Sequence, residues 1–160
     1  MSMSGHRVAA SRLVAVEPSQ AFERLIAAPL PEVFSRRYAA FPAVREVVDE
    51  PDEWGTVGQT RTIVLADGGG RLRETLTSVD RPTSYAYLLD DLHGPLRAFV
   101  STVEGVWSVT PEGTGARIGW AWTLHAKASP ARLTLTVIGR MWKGYADRAL
   151  AELETVLMRG

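Results

Sequence analysis

The last thirty residues, from Pro130 to Arg159, constrain the fold of this chain more than any other stretch. At the helical period Leu135, Ile138, Trp142, Ala146, Ala149, Leu153 and Val156 with Leu157 fall on one side, and Arg140, Lys143, Asp147, Ala151 and Glu154 on the other. The spacing predicts one long amphipathic helix. Ser129 can cap it, Pro130 suits a first turn that needs no amide donor, and Gly160 lies just past its last turn. About 28 residues of helix run roughly 42 Å, and an apolar face of that length needs a broad surface to lie on. Gly139 and Gly144 inside it each cost about 1 kcal/mol relative to alanine. Such positions indicate close packing, a bend, or a tolerated surface site.

The preceding chain supplies the surface. His6 to Val16 alternates as a first strand, and Pro18 opens a short helix with Ala21, Phe22, Leu25 and Ile26 on one face, which Pro29 stops. Pro31 to Phe34 allows a further turn or two. Ala43–Val48, Gln59–Ala66, Gly69–Val79, Ser84–Leu89, Ala98–Thr110 and Ala116–Lys127 then read as strands, with Asp90–Pro95 as a polar connection. Asp67-Gly68 marks a two-residue hairpin turn that sets Ile63 opposite Leu72 and Arg61 opposite Glu74. Between the last two strands an even-numbered turn keeps both apolar faces on one side. Four residues, Pro111 to Thr114, would set Trp107 opposite Ile118 and Gly105 opposite Trp120, leaving room for the indole. One strand, two short helices, about six antiparallel strands and a terminal helix make an α+β fold, with the sheet wrapped around that helix. Residues 1–160 read as one domain without repeats or linkers.

Composition narrows the function classes. Lysine plus arginine equals aspartate plus glutamate, 18 each, so no net field attracts nucleic acid or an anionic membrane. No cysteine is present, which removes disulfides, thiolate nucleophiles and cysteine metal sites. Met1 to Arg7 lacks the apolar run of a signal peptide, and no segment has the composition of a membrane span, so a cytoplasmic protein is expected.

Several local runs in this order carry a family resemblance: Gly58-Gln59-Thr60-Arg61-Thr62, Asp67-Gly68 with Arg73-Glu74-Thr75-Leu76, Asp80-Arg81-Pro82, Gly94-Pro95-Leu96-Arg97, Glu104-Gly105-Val106-Trp107 and Gly115-Ala116-Arg117-Ile118-Gly119-Trp120. From about Arg7 to its end the chain resembles the START/Bet v1-like (SRPBCC) superfamily, in the polyketide cyclase/dehydrase and lipid-transport branch. The resemblance implies a helix-grip fold, a curved antiparallel sheet of six to seven strands around the long C-terminal helix, with a deep apolar cavity between them. It implies a ligand-holding fold and no particular reaction, because carriers, receptors, co-chaperone regulators and cyclases share that fold.

Glu74 is the most informative polar residue. Its strand face also carries Leu72 and Leu76, so alternation sets a carboxylate among apolar groups, where desolvation raises its pKa unless a cation offsets it. Arg61 is the expected cation. The pair could orient a ligand oxygen, Glu74 could act as general acid or base, or the two could form a plain salt bridge at a sheet end or on the solvent face. Tyr85, Tyr87, Phe99, Trp107, Trp120, Trp122 and Trp142 lie on faces that can point inward, as pocket lining for a flat or lipophilic ligand or as core. His6, His93 and His125 are isolated. His93 with Asp91 reads as an acid/base pair at a cavity mouth or as a solvated loop, and no metal or cofactor is expected. Arg97 is a guard of the entrance or a loop cation. No serine-nucleophile motif occurs, and Gly68-Gly69-Gly70 lacks the lysine and helix of a phosphate loop.

Three readings follow: a binding module for a small lipophilic or aromatic molecule, a cyclase- or dehydratase-like enzyme using Glu74 or a tyrosine, and an interaction protein that works through its outer surface. The edge strand Ala43–Val48 offers a route to a homodimer unless bulges or charges block it.

Overall fold

The computed structural model describes residues 5–127 and 132–159. Strand β1 (His6–Val14) leads into helices α1 (Pro18–Ile26) and α2 (Leu30–Val33), then β2 (Val44–Val48), β3 (Thr60–Leu65), β4 (Arg71–Asp80), β5 (Ser84–His93), a 3₁₀ turn (Pro95–Ala98), β6 (Val100–Glu112), β7 (Gly115–Ala126) and helix α3 (Arg132–Arg159). The seven strands form one antiparallel sheet in the order β1-β7-β6-β5-β4-β3-β2. Because β1 and β2 lie at opposite edges, α1 and α2 carry the chain across the sheet, and a meander then returns it to β1. The sheet curves around α3, and register shifts in the β2–β3, β4–β5 and β6–β7 pairs are the kind of irregularity that bends strands.

Local chemistry explains the element boundaries. The Glu17 carboxylate accepts from the Ser19 and Gln20 backbone N–H groups at 2.8 and 3.2 Å, so a glutamate caps α1 and Pro18 follows where no donor is needed. The inward residues of α1 are Ala21, Phe22, Leu25 and Ile26, as its periodicity predicts. Asp67 and Gly68 take φ of +55° and +72°, both left-handed, as a two-residue turn between twisted strands requires. That turn sets Arg61 opposite Glu74 and Ile63 opposite Leu72. On α3 the buried face runs through Leu135, Ile138, Trp142, Ala146, Ala149, Leu153 and Leu157, with Tyr145 and Leu150 added beside it. Ser129, Pro130 and Gly160 lie outside the described residues. Both interior glycines of α3 mark close packing: a Cβ on Gly139 would sit 2.9 Å from Val8 Cγ1 of β1, and one on Gly144 would sit 2.2 Å from Tyr38 Cζ.

Two sequence expectations are corrected. The β6–β7 loop holds two residues, Gly113 and Thr114, with Gly113 at φ +59°, so Trp107 opposes Trp120 and Gly105 opposes Trp122. Pro111, which resembles a turn residue, closes the end of β6 instead. Strand β5 also runs four residues beyond Leu89, through the expected polar connection. Asp90 pairs with Arg73 through two hydrogen bonds of 3.0 Å, and Asp91 at φ +51° lies where the β4–β5 register shifts, which returns Leu92 to the core.

Candidate functional site

A cavity of about 360 Å³ lies between the curved sheet and the first half of α3. Its walls are Ile63 and Leu65 of β3, Leu72 of β4, Leu89 of β5, Phe34 and Phe41 from the α2–β2 connection, and Ile138, Met141 and Tyr145 of α3. Its rim includes Asp67, Gly68 and Gly69 of the β3–β4 turn, Pro95, Leu96 and Phe99 around the 3₁₀ turn, Arg37, and the exposed Val137 of α3. Arg37 Nη2 and Asp67 Oδ2 are 3.9 Å apart, both in side chains well exposed to solvent.

Eight of the nine candidate ligand-binding residues read from the sequence converge here. Arg61, Glu74, Tyr85, Tyr87, Trp107, Trp120 and Trp122 line the inner wall, while Phe99 precedes β6, is 41 % exposed and sits at the rim. Trp142 does not line the cavity. It is fully buried behind Trp120 and Trp122, with ring centroids at 4.8 and 5.9 Å, and so belongs to the core. His93 bonds Asp91 at 3.2 Å and His125 bonds Glu104 at 2.5 Å, both outside the cavity, and Arg97 does not line it. Among the described residues no group of three or more histidine, aspartate or glutamate side chains could hold a metal ion.

The polar part of the inner wall is a buried network. Arg61 and Glu74 are 5 % and 4 % exposed, so the pair lies neither at a sheet end nor on a solvent face. Arg61 Nε donates to Glu74 Oε1 at 2.8 Å and Nη1 to Glu50 Oε2 at 2.6 Å, and the guanidinium lies 4.0 Å from the ring centre of Trp54. Burial pushes the Glu74 carboxyl above its ordinary value, and the attraction and hydrogen bond of Arg61 pull it only part of the way back. Burial works against the charge on Arg61, but Glu74 and Glu50 outweigh it and hold the guanidinium above its usual range. The Tyr85 and Tyr87 hydroxyls are pushed up, first by burial and then by the charge on Glu74.

Tyr87 occupies a seat made by a missing side chain. A Cβ on Gly105 would fall 2.0 Å from Tyr87 Cζ, so the space at this glycine holds the phenol, not the indole of Trp120. Trp120 Nε1 and Trp122 Nε1 both donate to its hydroxyl, at 2.8 and 2.9 Å. Gly105→Ala is expected to displace the ring and lower stability by about 1–3 kcal/mol, the usual cost of overpacking a core. Near-ultraviolet circular dichroism and a denaturant titration check this, and an unchanged tryptophan band would contradict it.

Sequence reasoning missed Trp54, Glu50, Phe34, Phe41 and Tyr145. Tyr145 was legible, since it lies three residues beyond Trp142 and toward the same face. Its ring stacks on Phe34 and Phe41 at 5.5 and 5.2 Å, and its hydroxyl, pushed up by burial, donates to Pro42 O at 3.1 Å. The other four sit in loops or beside them, where periodicity carries no information.

Solved structures that share this fold include three at 13–19 % identity. The structure of Ara h 8.0201 is 13 % identical, with TM-score 0.68 and coverage of 97 % of this chain and 99 % of that one. TTHA0849 from Thermus thermophilus is 16 % identical, with TM-score 0.70 and coverage of 96 % and 98 %. MLL2253 from Mesorhizobium loti is 19 % identical, with TM-score 0.66 and coverage of 96 % and 98 %. No curated protein matches the chain. Residues 5–158 match the family model described as polyketide cyclase / dehydrase and lipid transport. With its sheet, its terminal helix and almost its whole length accounted for by that match, the chain belongs to the polyketide cyclase / dehydrase and lipid transport family.

Proposed function

We propose that this protein encloses a small lipophilic or aromatic molecule between the sheet and α3, as a carrier, sensor or store. The observation that carries this reading is a cavity of about 360 Å³ with aliphatic and aromatic walls and the buried Arg61–Glu74 ion pair on its inner side. An apolar cavity with a few convergent polar groups is the usual form of a small-molecule site. Native mass spectrometry of gently purified protein, followed by organic extraction, is expected to show a stoichiometric apolar adduct. Folded protein that stays empty and takes up no added hydrophobic probe would overturn the reading.

One observation favours a second reading, that of an acid–base catalyst. Glu74 combines raised proton affinity with an oxygen, Oε2, that has no hydrogen bond among the described residues, as a general acid or base needs. Turnover lost in Glu74→Gln while the adduct is retained would favour it.

A further inference from the structure

The hydrogen-bond arithmetic of the inner wall narrows the chemistry of the bound molecule, and this step rests on the binding reading above. The Tyr87 hydroxyl accepts from two indoles, Trp120 Nε1 at 2.8 Å and Trp122 Nε1 at 2.9 Å. A phenol has one proton and two acceptor positions, so both acceptor positions are used and the proton is left. Among the described residues nothing accepts it. Glu74 has the opposite shortage: Oε1 takes the Arg61 Nε hydrogen bond, and Oε2 has no donor among the described residues. Both residues line the cavity. The Tyr85 hydroxyl and Arg61 Nη2 on the same wall also have no hydrogen bond among the described residues, so the inner wall presents donors on Tyr87, Tyr85 and Arg61 and a carboxylate acceptor in Glu74 Oε2, and a buried polar group left unmatched is costly.

Charge removes another class of occupant. Two arginines line the cavity, and each faces a carboxylate: Arg61 at 2.8 Å from Glu74 and 2.6 Å from Glu50, Arg37 at 3.9 Å from Asp67. At the inner cluster one cation meets two carboxylates, so a third carboxylate entering there would meet net negative charge in a desolvated setting. A ketone or ether accepts from Tyr87 and offers Glu74 nothing. A hydroxyl both accepts and donates.

We infer that the molecule held in the cavity is a neutral alcohol or phenol with its hydroxyl on Tyr87 and Glu74, and that carboxylate-headed lipids are rejected from the inner wall. Four probes with one ring system separate the contributions: naphthalene, 2-acetylnaphthalene, 2-naphthol and 2-naphthoate. Their dissociation constants are read by displacement of the neutral fluorophore N-phenyl-1-naphthylamine. In the wild type 2-naphthol is expected to bind at least about tenfold more tightly than naphthalene, the scale of one hydrogen bond to a charged group. The expected position of 2-acetylnaphthalene is between them, and that of 2-naphthoate is last.

Two variants test the assignments, with naphthalene as the control for an intact cavity in each. Tyr87→Phe removes one of the wall's donors, so the advantage of 2-acetylnaphthalene over naphthalene falls. Glu74→Leu removes the acceptor and leaves Arg61 with Glu50 alone, so 2-naphthol loses most of its advantage and 2-naphthoate gains. A wild-type preference for 2-naphthol within about twofold of naphthalene, or 2-naphthoate binding as well as 2-naphthol, overturns the inference while leaving the binding reading in place. Tight naphthoate binding that survives Arg37→Ala would put the anion at the inner wall and also overturn it. Failure of the fluorophore and all four probes would remove the binding reading itself, and this inference with it.

Discussion

Arg61→Leu is expected to cost about 3–5 kcal/mol of stability at neutral pH, because it leaves the Glu74 carboxylate buried without its cation. The two partners are not equivalent. Arg61 also bonds Glu50 at 2.6 Å and lies over Trp54, whereas Glu74 has only Arg61 among the described residues. Glu74→Leu should therefore cost less than Arg61→Leu, and the double replacement should recover most of the loss, since apolar side chains of similar volume do well in such sites.

The Arg61→Leu loss should depend on pH. Glu74 has its pKa raised in the folded state, so its ionisation subtracts from stability. That penalty is absent below the unfolded value of 4.5 and grows as pH rises through the interval up to the folded value. Removing Arg61 takes away both influences that lower the pKa, so the interval widens and the penalty deepens. Urea titrations followed by tryptophan fluorescence at pH 5 and pH 8 check this. A loss of equal size at the two pH values, or a double variant no more stable than Arg61→Leu, would sink the argument.

The residues read from the sequence divide by the kind of signal they carry. Alternation and helical spacing report which side of an element a residue takes, and they placed Glu74, Tyr85, Tyr87, Trp107, Trp120 and Trp122 toward the inner side of the sheet, where they now meet in one wall. The β3–β4 register was legible because Asp67-Gly68 is a two-residue turn with its own backbone geometry. The β6–β7 register was not. Turns of two and four residues leave every side chain on the same face and move each partner by two positions, so face arguments cannot separate them. With glycine at both 113 and 115, the choice fell to backbone angles that periodicity does not carry. Asp90 and Asp91 misled for a similar reason, since two acids read as loop while the structure pairs one with Arg73 and places the other at a register shift. Trp142 shares its helix face with cavity residues, but the indoles of Trp120 and Trp122 stand between it and the opening. The cavity itself follows from sheet curvature and from where α3 lies across it, and neither is written in any one element.

Trp120→Ala is expected to be the most damaging single truncation on the sheet. Its ring touches four others: Trp107 stacked at 4.9 Å and 8°, Trp142 at 4.8 Å, Phe34 at 5.2 Å and Trp122 at 5.5 Å. Removing it costs the transfer energy of a buried indole and opens a void that the neighbouring strands cannot close, together about 3–5 kcal/mol. It also removes one of the two donors to Tyr87, so the phenol that faces the cavity loses part of its anchorage. For a chain of this size the loss corresponds to a fall in Tm of about 6–20 °C. Trp107→Ala is the informative comparison, because Trp107 is of similar size and burial but is in ring contact with Trp120 alone among the described aromatics. Thermal unfolding should rank Trp120→Ala clearly below Trp107→Ala. If the two lose equal stability, the cluster does not act as a unit around Trp120. The cavity wall would then owe its rigidity to the strand ladder, and the positions of Tyr87 and Glu74 would be set by backbone register alone.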